Sequence, residues 1–203
     1  MTQTLIVIDM QNDFRPGGAL AVPGGDEIVD GINAHMARAD AVVLTQDWHP
    51  PGHSSFASQH DGLAPHESVD MSYGPQILWP DHCVQGSPGA DFHPDLDTTR
   101  ADLIIRKGFR PGIDSYSAFF ENDQTTPTGL EGYLRSRGLT RLKFVGLATD
   151  FCVAWSALDA ARLGFEVQVG LELCRAIDLD GSLERAKQRM RAAGVELIRQ
   201  APE

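Results

Sequence analysis

Apolar residues fall along this chain in two alternating rhythms. Short runs apolar on both faces predict buried strands over Thr4 to Asp9, Ala41 to Thr45, Asp102 to Arg106, Leu142 to Leu147, Phe165 to Leu171 and Val195 to Ile198. Between them, spacings of three and four predict helices. Ile28, Val29, Ile32, Met36 and Ala37 share one face behind a capping Asp26, in a helix that ends before Ala41. A second helix runs from Gly129 to Arg137 and stops at Gly138, a third from Cys152 to Leu163, and a fourth is capped by Ser182 and reaches about Ala193. Strands that alternate with helices imply a parallel sheet covered on both faces: a three-layer α/β/α fold around six parallel strands, with residues 1–203 as one domain. The order of the strands does not follow from the pattern.

Two stretches break the rhythm. From Pro50 to about Asp97 the chain is dense in Gly, Pro, Ser and His without helical or strand periodicity, and a loop rich in aromatic residues carries Tyr116-Ser117-Ala118-Phe119-Phe120. Disordered linkers are poor in aromatic residues, so the first, with its aromatic and histidine content, reads as a loop that builds a site.

Composition narrows the function. A hydrophobic content of 42% suits a globular chain, and a net charge of -11 argues against binding a phosphate backbone. The start Met1-Thr2-Gln3-Thr4 leads straight into a strand with no basic region or long apolar run, so the expectation is a cytoplasmic protein without a membrane partner. Three cysteines, Cys83, Cys152 and Cys174, form no CxxC pair and fit a reducing compartment.

In open parallel sheets the site lies beyond the C-terminal ends of the strands. Asp9 ends the first strand, Asp47 and His49 follow the second, Lys107 follows the third and Cys152 follows the fourth. Cys152 is expected in the first turn of its helix, where unpaired amides and the helix dipole favour thiolate and offer an oxyanion site. On residue type alone the more common fate for it is a buried core cysteine. With it, Asp9 can serve as general base and then general acid, and the Lys107 ammonium can hold that carboxylate. The competing reading of Asp9 and Lys107 is a buried salt bridge with no further role. Asp47, His49 and His82 offer one oxygen and two imidazoles, a set that suits Zn, Fe or Mn with open positions, and His53 is either a fourth ligand or a supporting donor. His35, His60, His66 and His93 read as surface or loop residues.

Together, Ile8-Asp9-Met10-Gln11-Asn12-Asp13-Phe14, Asp47-Trp48-His49-Pro50 with His53-x-Ser55-Phe56, Trp79-Pro80-Asp81-His82-Cys83-Val84, Lys107-Gly108 and Gly146-Leu147-Ala148-Thr149-Asp150-Phe151-Cys152-Val153 resemble the nicotinamidases of the isochorismatase-like cysteine hydrolases. The resemblance spans nearly the whole chain and implies that family's fold. It further implies that Cys152 attacks the carboxamide of nicotinamide, with pyrazinamide also accepted, and that Asp9 acts as base supported by Lys107. The backbone amides of Ala148 and Cys152 would form the oxyanion hole, with a cis peptide before Ala148. Asp47, His49 and His82 would hold one divalent metal, zinc first with iron or manganese as alternatives, open to the pyridine nitrogen and water. Phe14 and Trp79 would sandwich the ring, with Tyr116 beside them, and the matching residue of His53 is a ligand in some relatives and not in others. The place implied for the reaction is NAD salvage, and a homo-oligomer stays open.

Two rival readings remain at this level. One keeps the thiol chemistry but takes another small amide or an N-carbamoyl compound, for which no metal set is needed to hold a ring nitrogen. The other is a non-catalytic metal- or nucleotide-binding module, and the absence of GxGxxG after the first strand removes its dinucleotide version.

Overall fold

The computed structural model describes residues 3–199, so the part of the N-terminal expectation that concerns Met1 and Thr2 lies outside the described residues. Six strands form one sheet: β1 (Gln3–Ile8), β2 (Ala41–Asp47), β5 (Leu103–Lys107), β6 (Arg141–Leu147), β7 (Glu166–Arg175) and β8 (Glu196–Ile198), in the order β5-β2-β1-β6-β7-β8. Every neighbouring pair is parallel. The winding runs outward from β1 through β2 to β5, returns to β6, and then runs outward the other way. The reversal therefore lies between β1 and β6, whose partners include Ile8 and Gly146.

The helices are α1 (Val29–Met36), α2 (Leu130–Ser136), α3 (Ala154–Arg162) and α4 (Ser182–Ala192). Right-handed crossovers put α1 on one face and α2, α3 and α4 on the other, because the first connection and the last three travel in opposite directions across the sheet. β1 and β2 are buried almost throughout, with Ile6, Ile8, Val43 and Leu44 at 0% exposure, as the two-sided apolar runs predict. No described helix is long and apolar enough to cross a membrane.

The structure corrects several expectations from the pattern. Within the Pro50 to Asp97 stretch, β3 (Ser68–Met71) and β4 (Gly74–Ile77) pair as an antiparallel hairpin. Its inner residues include Gln76 and its outer ones Ser68 and Asp70, so the alternation of β3 is only four residues long and finds a polar residue at the buried position of β4. Asp26 does not cap α1: Ile28 holds that position, and it is the Asp26 carbonyl that meets Val29 N at 3.4 Å. β7 continues past Leu171 to Arg175 because the register shifts at Gly146, from Phe144 opposite Val169 to Gly146 opposite Cys174. At Gly146 φ is +111°, and a side chain there would run into the Ile8 backbone. Ser182 is the first residue of α4 rather than its cap; the cap is Gly181, and the Ser182 hydroxyl donates to Asp150 instead.

Candidate active site

β2 and β5 each extend further than expected, to Asp47 and Lys107, and the register sets these two residues opposite each other. The Lys107 ammonium is consequently at the centre of a buried cluster, 2.5 Å from Asp47 Oδ1 and 2.8 Å from Asp9 Oδ2. It also donates to the Ser115 carbonyl at 3.0 Å and faces Cys152 Sγ at 3.4 Å. Burial alone would lower its pKa, but the two carboxylates and the sulfur hold it well above the ordinary lysine value. A carboxylate oxygen of Asp9, one of Asp47 and Cys152 Sγ lie within 4.8 Å of one another, and the ammonium occupies the cation position among them.

Asp9 sits one residue past β1 with φ at +48°, a turn that swings its carboxylate over the strand end. Thr45 fixes it twice, accepting from the Asp9 amide at 3.1 Å and donating to Oδ1 at 2.5 Å. Burial raises the Asp9 pKa, helped by the Asp47 charge, and Lys107 and Thr45 offset only part of that rise. A carboxylate whose proton affinity is raised in this way is suited to accept a proton from a thiol.

Cys152 lies in a π-helical turn, Thr149–Val153, ahead of α3, rather than in the first turn of a regular helix. The Phe151 and Val153 amides both donate to the Ala148 carbonyl at 3.1 Å, and the Leu147–Ala148 peptide is cis. Asp150 anchors the turn by accepting from Ile177 N at 3.1 Å and Asp178 N at 2.8 Å. The expectation of a lowered thiol pKa does not hold. Burial pushes Cys152 well above the usual thiol range, the Asp9 and Asp47 charges add to the rise, and Lys107 opposes it. The resting residue is thus a thiol, and the Lys107 ammonium touches both it and Asp9, the group able to take its proton, at 3.4 Å from Sγ and 2.8 Å from Oδ2.

The candidate metal ligands converge as expected. Nδ1 of His49 donates to the Gly108 carbonyl and Nδ1 of His82 to the Pro80 carbonyl, each at 2.8 Å. A carbonyl only accepts, so each ring carries its proton on Nδ1 and presents the Nε2 lone pair. Those Nε2 atoms lie 3.8 and 3.9 Å from Asp47 Oδ2, within the about 4.2 Å that two bonds of about 2.1 Å can span. Burial lowers the pKa of both histidines to about 4, so neither is protonated near neutral pH. Two neutral imidazoles and a carboxylate oxygen, buried and aimed at one point, fit a divalent transition metal. Gly108 is required here, because at φ +65° a side chain would land on the His49 ring.

His53 stands differently. Its Nδ1 is within 2.7 Å of Ser55 Oγ and its Nε2 donates to the Ile113 carbonyl at 3.1 Å, so both nitrogens are engaged while the ring packs 4.5 Å from that of His49. With His49 and Asp114 it also brings possible ligand atoms within 4.8 Å of one another. His93, read as a surface or loop residue, is in a loop but buried.

The pocket is walled by Phe14, Leu20, Trp79, Tyr116, Phe151 and Ile177, with Cys152, Asp47, His49 and His82 at its base. The Phe14 ring is 5.6 Å from that of His82, and Trp79 and Phe151 meet edge to face at 4.9 Å. Trp79 Nε1 donates to the Tyr116 hydroxyl at 3.1 Å, which satisfies a buried donor and fixes the indole plane.

Several residues here were not singled out from sequence. Gln11 clamps Asp47: its Oε1 accepts from Asp47 N at 2.7 Å and its Nε2 donates to Asp47 O at 2.9 Å. Asp13 accepts from Cys83 N at 2.7 Å, and the Cys83 carbonyl accepts from His49 N at 3.1 Å, which draws the His82 turn against β2. Both lie inside the quoted Asp9 to Phe14 segment, so that segment was the available signal. Asp114, buried and held by Ser115 N at 2.7 Å and Gln76 Nε2 at 3.0 Å, also lines the pocket, and no spacing marked it.

Comparison with known proteins agrees with this fold. A family model described as isochorismatase domain matches residues 3–202. The nicotinamidase of Acinetobacter baylyi is 55% identical over 194 residues, 96% of this chain and 91% of that protein. A solved nicotinamidase and pyrazinamidase of Acinetobacter baumanii superposes with a TM-score of 0.96 at 54% identity, covering 97% of this chain and 95% of that one. A pyrazinamidase of Pyrococcus horikoshii solved in complex with zinc gives 0.78 at 36% identity, covering 98% of this chain and 100% of that one.

Proposed function

The chain belongs to the isochorismatase family, and on that premise we propose that it hydrolyses the carboxamide of nicotinamide, releasing nicotinate and ammonia, and accepts pyrazinamide in the same pocket. The observation that carries the proposal is the meeting of a buried thiol, a raised Asp9 carboxyl and two unprotonated imidazoles beneath an aromatic pocket. The ring lies between Phe14 and Trp79, with Tyr116 closing the side.

Asp9 takes the Cys152 proton as sulfur adds to the carbonyl carbon. The negative charge that develops on the carbonyl oxygen is met by the Ala148 and Cys152 amides, where each such donor contributes about 10² to 10³ in rate. Asp9 then returns its proton to the nitrogen, the C–N bond breaks, ammonia leaves and the acyl group stays on sulfur as a thioester. Water, deprotonated by Asp9, adds to the thioester, and the C–S bond breaks to release nicotinate and restore the thiol. Lys107 stays charged throughout and offsets the repulsion between Asp9 and Asp47, holding both carboxylates in place. Asp47, His49 and His82 would hold zinc, with iron or manganese as alternatives. When bound, that ion supplies a Lewis-acid site that orients the substrate ring. His53 positions His49.

The proposed place of the reaction is NAD salvage, carried out in the cytoplasm by a single domain. The test is ammonia and nicotinate formation by the purified chain before chelation, after chelation and after zinc is restored. Release that falls and returns supports the scheme; no release with metal present moves the substrate elsewhere.

A further inference from the structure

The β3–β4 hairpin delivers one fully buried carboxamide, Gln76 on β4, to residues that wall the pocket. The orientation of that amide follows from a chain of hydrogen bonds that begins and ends at Tyr116. The Tyr116 backbone N–H donates to Asn122 Oδ1 at 3.0 Å, which fixes where the Asn122 nitrogen points. Asn122 Nδ2 then donates to Gln76 Oε1 at 2.9 Å, and the Tyr73 hydroxyl donates to the same oxygen at 3.2 Å. Gln76 Nε2 is thereby turned toward three acceptors: the Ile77 carbonyl at 2.7 Å, the Tyr116 hydroxyl at 2.9 Å and Asp114 Oδ2 at 3.0 Å. A reversed amide would set its oxygen against the Asp114 carboxylate and its nitrogen against the Asn122 donor.

We propose that Gln76 is a positioning residue for the amide hydrolysis, acting through the Tyr116 hydroxyl. That hydroxyl also accepts from Trp79 Nε1 at 3.1 Å, so one oxygen joins the carboxamide to two aromatic walls of the pocket. Tyr116 is tied at its backbone by Asn122 and at its tip by Gln76 and Trp79, and its ring meets that of Trp79 edge on at 6.3 Å. A buried polar network whose members are all partnered rigidifies its surroundings. Walls held in this way keep the substrate ring in the one orientation that carries its carboxamide to Cys152. An apolar residue at position 76 would occupy similar space but leave the walls free to shift, and a misplacement of about 1 Å can cost about 10²-fold in rate. The role rests on the reading of this pocket as a nicotinamide site.

Gln76→Met keeps a side chain of similar length and removes its polar contacts, which tests this. In the zinc-loaded variant kcat/KM for nicotinamide is expected to fall about 10- to 10²-fold. Zinc per chain and the rate at which iodoacetamide alkylates Cys152 are expected to stay within about twofold of the unaltered chain, because a small alkylating agent needs the thiol but not the ring walls. A purely structural role would lower the folded fraction and move all three readouts together. An unchanged kcat/KM, or three readouts that fall in step, would overturn the proposal. If that variant does not fold, Tyr116→Phe decides, since it keeps the ring and removes only the hydroxyl: a kcat/KM within about twofold of the unaltered value overturns the proposal. No ammonia release by the unaltered zinc-loaded chain sinks the nicotinamide reading and the proposed role with it, whereas release that Gln76→Met leaves unchanged sinks the role alone.

Discussion

Replacing Lys107 with methionine keeps an unbranched side chain, one heavy atom shorter, and removes the ammonium with its charge and its N–H donors, which tests what that group does. Without it, the Asp9 and Asp47 carboxylates, within 4.8 Å of each other and both buried, lose their shared cation. Breaking a buried ion pair from one side costs about 3–5 kcal/mol, because the remaining charge has no counterpart. With a urea dependence of about 2.5 kcal/mol per M, the unfolding midpoint of the metal-free chain should fall by about 1–2 M. Zinc should recover part of the loss by binding the folded state and neutralising Asp47. Activity should drop about 10² to 10⁴-fold even with zinc, since one of the two carboxyls then holds a proton and Asp9 is the one whose pKa is already raised. Urea titrations of both forms with and without zinc read these effects. A midpoint shift below about 0.4 M in the metal-free form would refute the view that Lys107 holds this cluster together.

His82→Ala should lower zinc retained per chain, measured by elemental analysis after gel filtration; unchanged stoichiometry would remove His82 from the ligand set. Gly108→Ala should weaken zinc binding and cost about 1–3 kcal/mol, because the new methyl collides with the His49 ring at a positive φ. Normal zinc affinity in a calorimetric titration of that variant would contradict the account of His49. Asp159 is buried, with Oδ2 lacking a hydrogen-bond partner among the described residues and Oδ1 3.0 Å from Arg162, and burial raises its pKa. A raised folded value means the fold prefers the protonated acid, so its contribution is fully present below the unfolded value of about 4 and is lost as pH rises through the folded value. Asp159→Asn should therefore raise the melting temperature by about 2–4 °C at pH 7 and leave it unchanged below about pH 4; a lowered value at pH 7 would refute this.

Much of the sheet was legible because β1, β2 and β6 are buried on both faces and so carry unbroken apolar runs. The β3–β4 hairpin was hidden because its strands are only four residues each and the buried position of β4 is a polar residue, Gln76, so the short alternation in β3 meets no apolar alternation in its partner. Strand order and the extra length of β7 depend on which strands pair and on the bend at Gly146, which local periodicity does not encode. Asp9, Lys107 and Cys152 were recognisable as reactive types at strand ends, yet the direction of the thiol shift was misread. A dipole argument sees one turn of helix, whereas burial and two neighbouring carboxylates come from β1 and β2. Gln11, Asp13 and Asp114 act through contacts with residues far away in the chain, so only the folded arrangement exposes them.

The account rests most heavily on sulfur as the attacking atom. Ammonia release from nicotinamide by the unaltered chain and by Cys152→Ala, side by side and with zinc content measured in both, tests it most directly. The prediction is release by the first, none above background by the second, and equal zinc in each. Appreciable release by the alanine variant would contradict the thioester route and return Cys152 to the core.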